Sequence, residues 1–327
     1  MDITVPAPKW PSNGPRPINL KHDVPQVADL LELAFGEKLD FEGRQAIRRS
    51  PNGNPTFLWR LNPQTNRLPP GYVWQENGRI IGNVTLIATK IPGRHIIANV
   101  AVHPNYRRRG IARSLMQSVL QQVRARHGNV VILQVVKDNT PAIELYEELR
   151  FLKIGAMTEW RSTVSRLRNL PGDSPDAAKT AVTPLRNQQW QDAYRLDTTS
   201  QHPDLTWPEP IPPDYYRWRW WEAMNDFLYG RSRETWATTT QSGQLAGLAT
   251  ISSEWGRPFN LTLRIHPERR GQLERPLLTK LIRRLQNMSR RNIIIHHLDN
   301  DTVTNQLLKE ANFTPRRSLI HMRLDLY

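Results

Sequence analysis

The sequence predicts an α/β protein of two tandem domains, each a mostly antiparallel mixed sheet flanked by helices. Three observations carry that expectation. The chain has 327 residues, long for one compact core and enough for two. Its halves repeat: GRIIG from Gly78 to Gly82 returns as GQLAG from Gly243 to Gly247, Val102-His103-Pro104 as Ile265-His266-Pro267, the apolar run after Asn129 as the run after Asn292, and Phe151 as Phe313. These matches keep one order at offsets between 165 and 162, which points to duplication of a domain. Within each half, strand-like and helix-like periodicities alternate.

Taken in order, RPINLKH from Arg16 reads as a short strand, and PQVADLLELAF as an amphipathic helix with Val27, Leu30, Leu31 and Ala34 on one face. A second short helix is expected from Phe41 to Arg49, then a Pro/Asn-rich loop over 51–70. GYVWQ and IIGNVTLIA form a hairpin turned at Asn77-Gly78. HIIANVAV is the next strand. After the loop HPNYRRR comes a helix from about Gly110 to Arg126, with Ala112, Leu115, Met116, Val119, Leu120 and Val123 at helical spacing. VVILQVV is a buried strand, and Asn139-Thr140-Pro141 opens a helix, since proline suits the first turn and polar residues the cap. Two closing strands are expected from Phe151 to about Val164. Residues 165–182 are polar and rich in Pro, Gly, Asp and Ser, a linker. The expected organisation is therefore a tail at 1–15, a first domain at 16–164, the linker, and a second domain at 183–327.

Composition narrows the function. Apolar residues make up 38% of the chain, mean hydropathy is −0.59, and no run approaches about eighteen consecutive apolar residues. The Pro-rich N-terminus lacks an apolar signal core. A soluble, cytoplasmic protein without a membrane partner is expected. There is no cysteine, which excludes disulfides, thiolate nucleophiles and Cys-ligated zinc. The histidines lack metal-ligand spacing, and the adjacent His296 and His297 face opposite sides of a strand, so no metal is expected. A net charge of +15 favours polyanions, whether nucleic acid or coenzyme phosphates. With no basic tail, RNA-binding aromatic signature or zinc-finger spacing, the coenzyme is the preferred reading.

The chemistry centres on Val100 to Ala112. A strand ends, a basic loop follows, and Gly110 stands where a helix begins. At a helix start several amide groups lack intrahelical acceptors and the macrodipole adds positive potential. A glycine lets a ligand approach the backbone closely. The combination makes a pyrophosphate cradle, with Arg107, Arg108, Arg109 and Arg113 adding positive field.

Here the sequence resembles the GNAT acetyltransferase superfamily. Its coenzyme signature, Gln/Arg-x-x-Gly-x-Gly/Ala after a strand, is matched by Arg107, Gly110 and Ala112. Asn139, Ala142, Leu145, Tyr146 and Phe151 resemble the family's later motif, with Arg150 where the family usually has glycine. The resemblance covers about 16–164 and more faintly 183–327. It implies an acetyl-CoA-dependent N-acetyltransferase acting on a primary amine of a small molecule or protein. Amides near Val100, Ala101 and Val102 would pair with the pantetheine arm and polarise the thioester. Arg108, Arg109, Gly110, Ile111, Ala112 and Arg113 would cradle the pyrophosphate, Asn139 would contact the coenzyme, and Tyr146 would protonate the departing thiolate.

Each residue has a plainer reading. Gly110 serves equally as a turn glycine, the arginines as a solvated loop, Asn139 as a helix cap and Tyr146 as a core aromatic; His103 reads as structural. The base is open: where many relatives carry Glu or Asp, this chain has Ala98 and Asn99, leaving Glu37, Asp40, Glu42, Glu159 or water. The second copy reads as degenerate. Gly110 falls on Leu273, or on Gly271 if shifted by two, which sets Glu268 at the Arg107 position; Tyr146 falls on Leu308 and Asn139 on Asp301. Its aromatic segment from Tyr215 to Trp221 could line a substrate cleft or fill an interface. A non-catalytic acyl-CoA sensor and a nucleic-acid-associated protein are the alternatives, and the acceptor amine and oligomeric state are not readable.

Overall fold

The computed structural model describes residues 13–36, 70–170, 181–240 and 242–326. The expected helix at 41–49, most of the loop at 51–70, and the candidate bases Glu37, Asp40 and Glu42 lie outside them. Element order repeats along the chain. The first series is β1 (Asn13–Pro17), α1 (Val24–Phe35), β2 (Gly71–Glu76), β3 (Arg79–Ala88), β4 (Arg94–Val102), α2 (Ile111–Arg124), β5 (Val130–Val136), α3 (Thr140–Glu148) and β6 (Leu152–Thr163). The second is β7 (Thr183–Pro184), α4 (Trp190–Ser200), α5 (Trp220–Leu228), β8 (Arg231–Thr239), β9 (Leu245–Glu254), β10 (Phe259–Ile265), α6 (Glu274–Gln286), β11 (Asn292–Leu298), α7 (Thr302–Glu310) and β12 (Thr314–Asp325). This is the expected mixed α/β architecture in two series. No described helix is long and apolar enough to cross a membrane.

The chain divides into two compact units. Unit 1 comprises Met1–Gln134, Ile143–Leu152 and Arg323–Tyr327; unit 2 comprises Val135–Ala142 and Lys153–Met322. In unit 1, β1, β2, β3 and β4 pair antiparallel in that order, and β5 joins β4 in parallel. In unit 2, β7, β8, β9 and β10 pair antiparallel, β11 joins β10 in parallel, and β6 pairs antiparallel with β11 from Met157↔Leu298 to Thr163↔Asn292. Thus β6, which closes the first series in sequence, hydrogen-bonds within unit 2. It is one twelve-residue strand, not two: its ladder to β11 runs unbroken to the end, and no turn interrupts it.

Local chemistry explains the boundaries. The first strand stops at Pro17 because Asn19 turns the chain, its carbonyl accepting from His22 N–H at 3.1 Å and Asp23 N–H at 2.8 Å. Asp23 then pairs bidentately with the buried Arg16 at 2.6 and 2.8 Å, tying β1 to the start of α1. Val27, Leu30 and Leu31 of α1 pack with Val73, Ile80 and Ala101. The apolar stripe of α2 is buried as its spacing requires, with Leu115, Met116, Val119 and Val123 wholly enclosed. Gly82 admits that helix: a β-carbon there would sit 2.9 Å from both Ile111 and Leu115. Gly247 plays the same part in unit 2, 2.7 Å from Leu277. The repeated G-x-x-x-G segments are therefore a hairpin turn followed by a helix seat.

Four left-handed positions also recur: Gly78 and Gly243, Gly93 and Gly256, Gly110 and Gly271, Arg150 and Asn312. Arg150 stands at φ 70°, which is why glycine is the more usual residue there; Phe151 N–H nevertheless reaches Tyr146 C=O at 2.9 Å.

Within unit 2, burial holds His321 in its neutral form, its pKa pushed down to about 4, against the opposing pull of the Asp204 carbonyl. The unfolded chain takes up this proton below its ordinary value of about 6.5, whereas native His321 does so only near 4. Its contribution is therefore complete above about pH 6.5 and lost as pH falls toward 4. Urea unfolding at pH 7 and pH 4.5 is expected to show an acid loss smaller by about 2–3 kcal/mol in His321→Asn than in the unsubstituted chain.

Candidate functional site

The site begins with a fault in β4. Asn83 of β3 stands opposite Ala101 and Thr85 opposite Ala98, so Asn99 and Val100 share the single partner Val84. This is a β-bulge, and Asn99 takes the left-handed conformation it needs, at φ 52°. Asparagine tolerates that region better than other β-carbon-bearing residues. Three polar side chains fix it: Asn83 Nδ2 donates to the Asn99 carbonyl at 2.8 Å and to Thr85 Oγ1 at 3.3 Å, and Asn99 Nδ2 donates to the same hydroxyl at 3.3 Å. Asn83 is 1% exposed, and its Oδ1 has no hydrogen-bond partner. Sequence reasoning passed over Asn83 and Thr85; two polar residues in an otherwise apolar strand were the available signal.

On its other side β4 pairs with β5 from Arg94↔Val130 to Ile97↔Leu133, and the register stops just before the bulge. A bulge increases twist and bends its strand, and the β4–β5 register does not run past Ile97 and Leu133. Val100, Ala101 and Val102 lie on this far stretch.

Beyond β4, His103 caps a short 3₁₀ turn over Pro104–Tyr106, its ring nitrogen accepting from Asn105 N–H at 3.3 Å. Arg108 and Gly110 then both adopt left-handed conformations, φ 65° and 74°, and Gly110 caps α2. The first donor that α2 satisfies is Ser114 N–H, 3.0 Å from the Gly110 carbonyl. Among the described residues, the amides of residues 108 to 113 find no acceptor. A β-carbon on Gly110 would meet nothing within 4 Å. An open space thus stands before a row of unclaimed donors at the positive end of a fourteen-residue helix.

The arginines are less uniform than the sequence suggests. Arg109 pairs with Glu76 at 3.0 Å and lies over the Tyr106 ring, 5.2 Å from its centre; Arg113 pairs with Glu148. Arg107 donates to the Val102 carbonyl at 3.4 Å, and Arg108 is exposed. Two of the four charges are therefore neutralised locally, and the backbone donors carry more of the site.

Tyr146 is 5% exposed, packed edge-on against Phe151 with ring centres 6.0 Å apart. Burial pushes its phenol far above the usual tyrosine range, so the hydroxyl keeps its proton. Asn139 falls in the segment counted with unit 2, where its amide and carbonyl close the turn before α3 on Val136 and Ala142. Glu159 is no free base: Arg161 holds it at 2.6 Å and Arg317 at 3.5 Å.

Unit 2 shows what happens to the same helix start in the second series. Gly271, at φ 85°, is the left-handed counterpart of Gly110, so Gly110 aligns with Gly271 and not with Leu273. Here the donors are already taken. The Glu274 side chain folds back, 1% exposed, and accepts from Gly271 N–H at 2.7 Å and Leu273 N–H at 3.1 Å. β10 pairs with β9 from Asn260↔Ser252 to Ile265↔Gly247 in regular register, with no bulge. Of the histidines in β11, His297 is bonded to Asp301 at 2.8 Å, and no His/Asp/Glu group among the described residues could hold a metal.

Comparison with known proteins finds similarity over part of the first series. Residues 30–151 match the model of the acetyltransferase (GNAT) family. Over 80 residues, 24% of this chain and 48% of the other, the sequence is 38% identical to the peptidyl-lysine N-acetyltransferase YiaC of Escherichia coli strain K12. Over 85 residues, 26% of this chain and 50% of the other, it is 29% identical to an N-alpha-acetyltransferase of Saccharolobus solfataricus. The chain spans about half the length of these curated relatives. The crystal structure of a GCN5-related N-acetyltransferase from Sphaerobacter thermophilus aligns over 95% of each chain with a TM-score of 0.60 and 14% identity, a likeness of fold.

The polar clamp on the bulge is open to test. Asn83→Leu leaves the Asn99 carbonyl without its donor in a dry setting and is expected to destabilise the protein by about 1–3 kcal/mol in urea unfolding. Asn83→Asp, whose carboxylate cannot donate to that carbonyl, is expected to cost at least as much.

Proposed function

We propose, from the match of residues 30–151 to the model of the acetyltransferase (GNAT) family, that the chain transfers an acetyl group from acetyl-CoA to a primary amine. The observation that carries this reading is the row of unclaimed amides from Arg108 to Arg113 before open space at Gly110. Those donors suit the pyrophosphate of the coenzyme, with Arg107 and Arg108 as the cations nearest to hand. The stretch of β4 beyond the bulge, Val100 to Val102, supplies amides for the pantetheine arm and for the thioester oxygen. A donor aimed at the developing oxyanion contributes about 3–4 kcal/mol to such reactions.

In the proposed reaction the amine nitrogen attacks the thioester carbonyl, its C–N bond forms, and the C–S bond breaks. The leaving thiolate takes the proton of the Tyr146 hydroxyl, and the phenolate regains one from water; a free thiol ionises near a pKa of about 8.5, so a donor helps near neutrality. The amine's own proton goes to water or to a carboxylate among Glu37, Asp40 and Glu42. The coenzyme contact of Asn139 rests on family resemblance alone. Both curated relatives bear the names of enzymes acting on protein amines, which makes peptide lysines and N-termini the first acceptors to assay.

Unit 2 is proposed as a degenerate partner whose helix start is filled by its own Glu274. A second reading, an acyl-CoA sensor without turnover, is favoured by one observation: the carboxylate Glu159 is spent on two arginines. Release of CoA with a panel of amines separates the two.

Gly110→Leu is expected to abolish acetyl-CoA binding in calorimetry, because the side chain enters the cradle; loss of the left-handed glycine adds roughly 1–2 kcal/mol of strain. Wild-type affinity in a folded Gly110→Leu chain would remove the cradle from the proposal.

Tyr146→Phe keeps the ring and its packing. Coenzyme affinity is expected to stay within about twofold while the single-turnover rate falls roughly 10²–10⁴-fold. An unchanged single-turnover rate would leave water as the proton source.

A further inference from the structure

The aromatic segment from Tyr215 to Trp221 divides into two parts. Tyr216 is buried and its hydroxyl donates to Asp197; Tyr215 is half-buried, with Arg233 4.3 Å over its ring. Beyond them the chain opens to solvent. Trp218, Trp220 and Trp221 are 53–62% exposed, and α5 has no buried residue at all. On α5, Trp220, Met224, Phe227 and Leu228 recur at helical spacing and form one apolar face. Phe227 is 81% exposed. At the end of the helix Gly230 lets Trp255 lie alongside: a β-carbon at Gly230 would be 2.8 Å from Trp255 Cβ. Trp255, 82% exposed, and Tyr229 extend the surface.

We propose that this face of unit 2 is the contact surface for a second copy of the chain. Its area is the first argument. Six aromatic side chains of about 150–250 Å² each, all more than half exposed, present roughly 600–900 Å² before Met224 and Leu228 are added. The largest apolar patch on a typical monomer is about 300–600 Å², and a standard interface takes about 800 Å² from each partner.

Charge selects the occupant. In a chain of net charge +15 this rim is nearly balanced, with Arg217, Arg219, Arg231, Arg233 and Arg257 against Asp214, Glu222, Asp226 and Glu254. The polar side of α5 itself is acidic, carrying Glu222 and Asp226. A helix that lies on an anionic membrane carries Lys and Arg there instead, and a nucleic-acid surface is likewise uniformly basic. A two-fold contact sets one patch against its own copy, so a mixed rim offers each unlike pair twice. Arginine among aromatics is also the composition of protein interfaces.

Sedimentation velocity on the full chain between about 1 and 100 µM, the range in which interfaces of this size associate, is expected to give twice the 37.9 kDa chain mass. Phe227→Asp and Trp255→Asp, each at an exposed site and each retaining the wild-type circular dichroism, are expected to weaken association at least tenfold. A monomer at every concentration overturns the proposal, as does a dimer that neither variant weakens. Wild-type chain that stays monomeric but sediments with phosphatidylserine vesicles, and is released by both variants, would give the surface to lipid instead.

Discussion

The candidate site depends on one residue holding a left-handed backbone inside a strand. Asn99 at φ 52° forces two residues of β4 to face one of β3, and the extra residue bends β4 where its pairing with β5 ends. A continuation of the β4–β5 ladder would take up the amides of this stretch that face β5 in strand pairing. Glycine would take this conformation with less strain but would bring no side chain. Asparagine adds a donor to Thr85, while Asn83 secures the carbonyl from the opposite strand. Asn83 and Thr85 of the clamp are buried, so a bond removed between them leaves a polar group that water reaches poorly.

The two series show which features survive duplication without a shared site. The hairpin glycines, the glycines that seat a helix, and the left-handed caps before Phe151 and Phe313 all recur, because each serves a turn or a close approach that the fold itself requires. The bulge does not recur, and the second helix start is closed by Glu274. A carboxylate from the first turn of the helix satisfies the same donors that an external anion would. In the first series nothing in the described chain does this, and the donors remain available. Coenzyme binding is proposed for unit 1 on that contrast.

Positive charge explains less than its total suggests. Several arginines are structural: Arg16 is held by Asp23, Arg264 by Asp197, and Arg284 by Glu234. Buried pairs such as the first two gain little net stability over apolar packing, yet breaking one strands an unpaired charge. Around the helix start, Glu76 and Glu148 take two of the four arginines. What is left is a local arrangement of backbone dipoles, and the net charge of +15 is spread over sites that have nothing to do with it.

Much of this was legible in the sequence because it is local. Periodicity fixes α2 and its buried stripe; Asn77-Gly78 fixes the hairpin; Gly110 before an amphipathic run marks the helix start; the repeat announces the duplication. The open backbone cap at Arg150 was visible as a missing glycine. Asn99 was visible too, as an absent carboxylate, but its role as the hinge of a bulge was not, since a bulge is defined by the strand across from it. Other features were decided only when distant segments met. Nothing in the apolar pattern of β6 says that it pairs with β11, because any strand of similar pattern satisfies the same ladder. Glu274 looks like an ordinary helix residue until its side chain turns back on Gly271, and Glu159 like a candidate base until Arg161 and Arg317 close on it. The aromatic face of α5 has the spacing of a core helix, and only its packing leaves it in solvent. Local backbone preference and side-chain period are written in neighbouring residues, whereas pairing, neutralisation and exposure are properties of contacts between residues far apart in the chain.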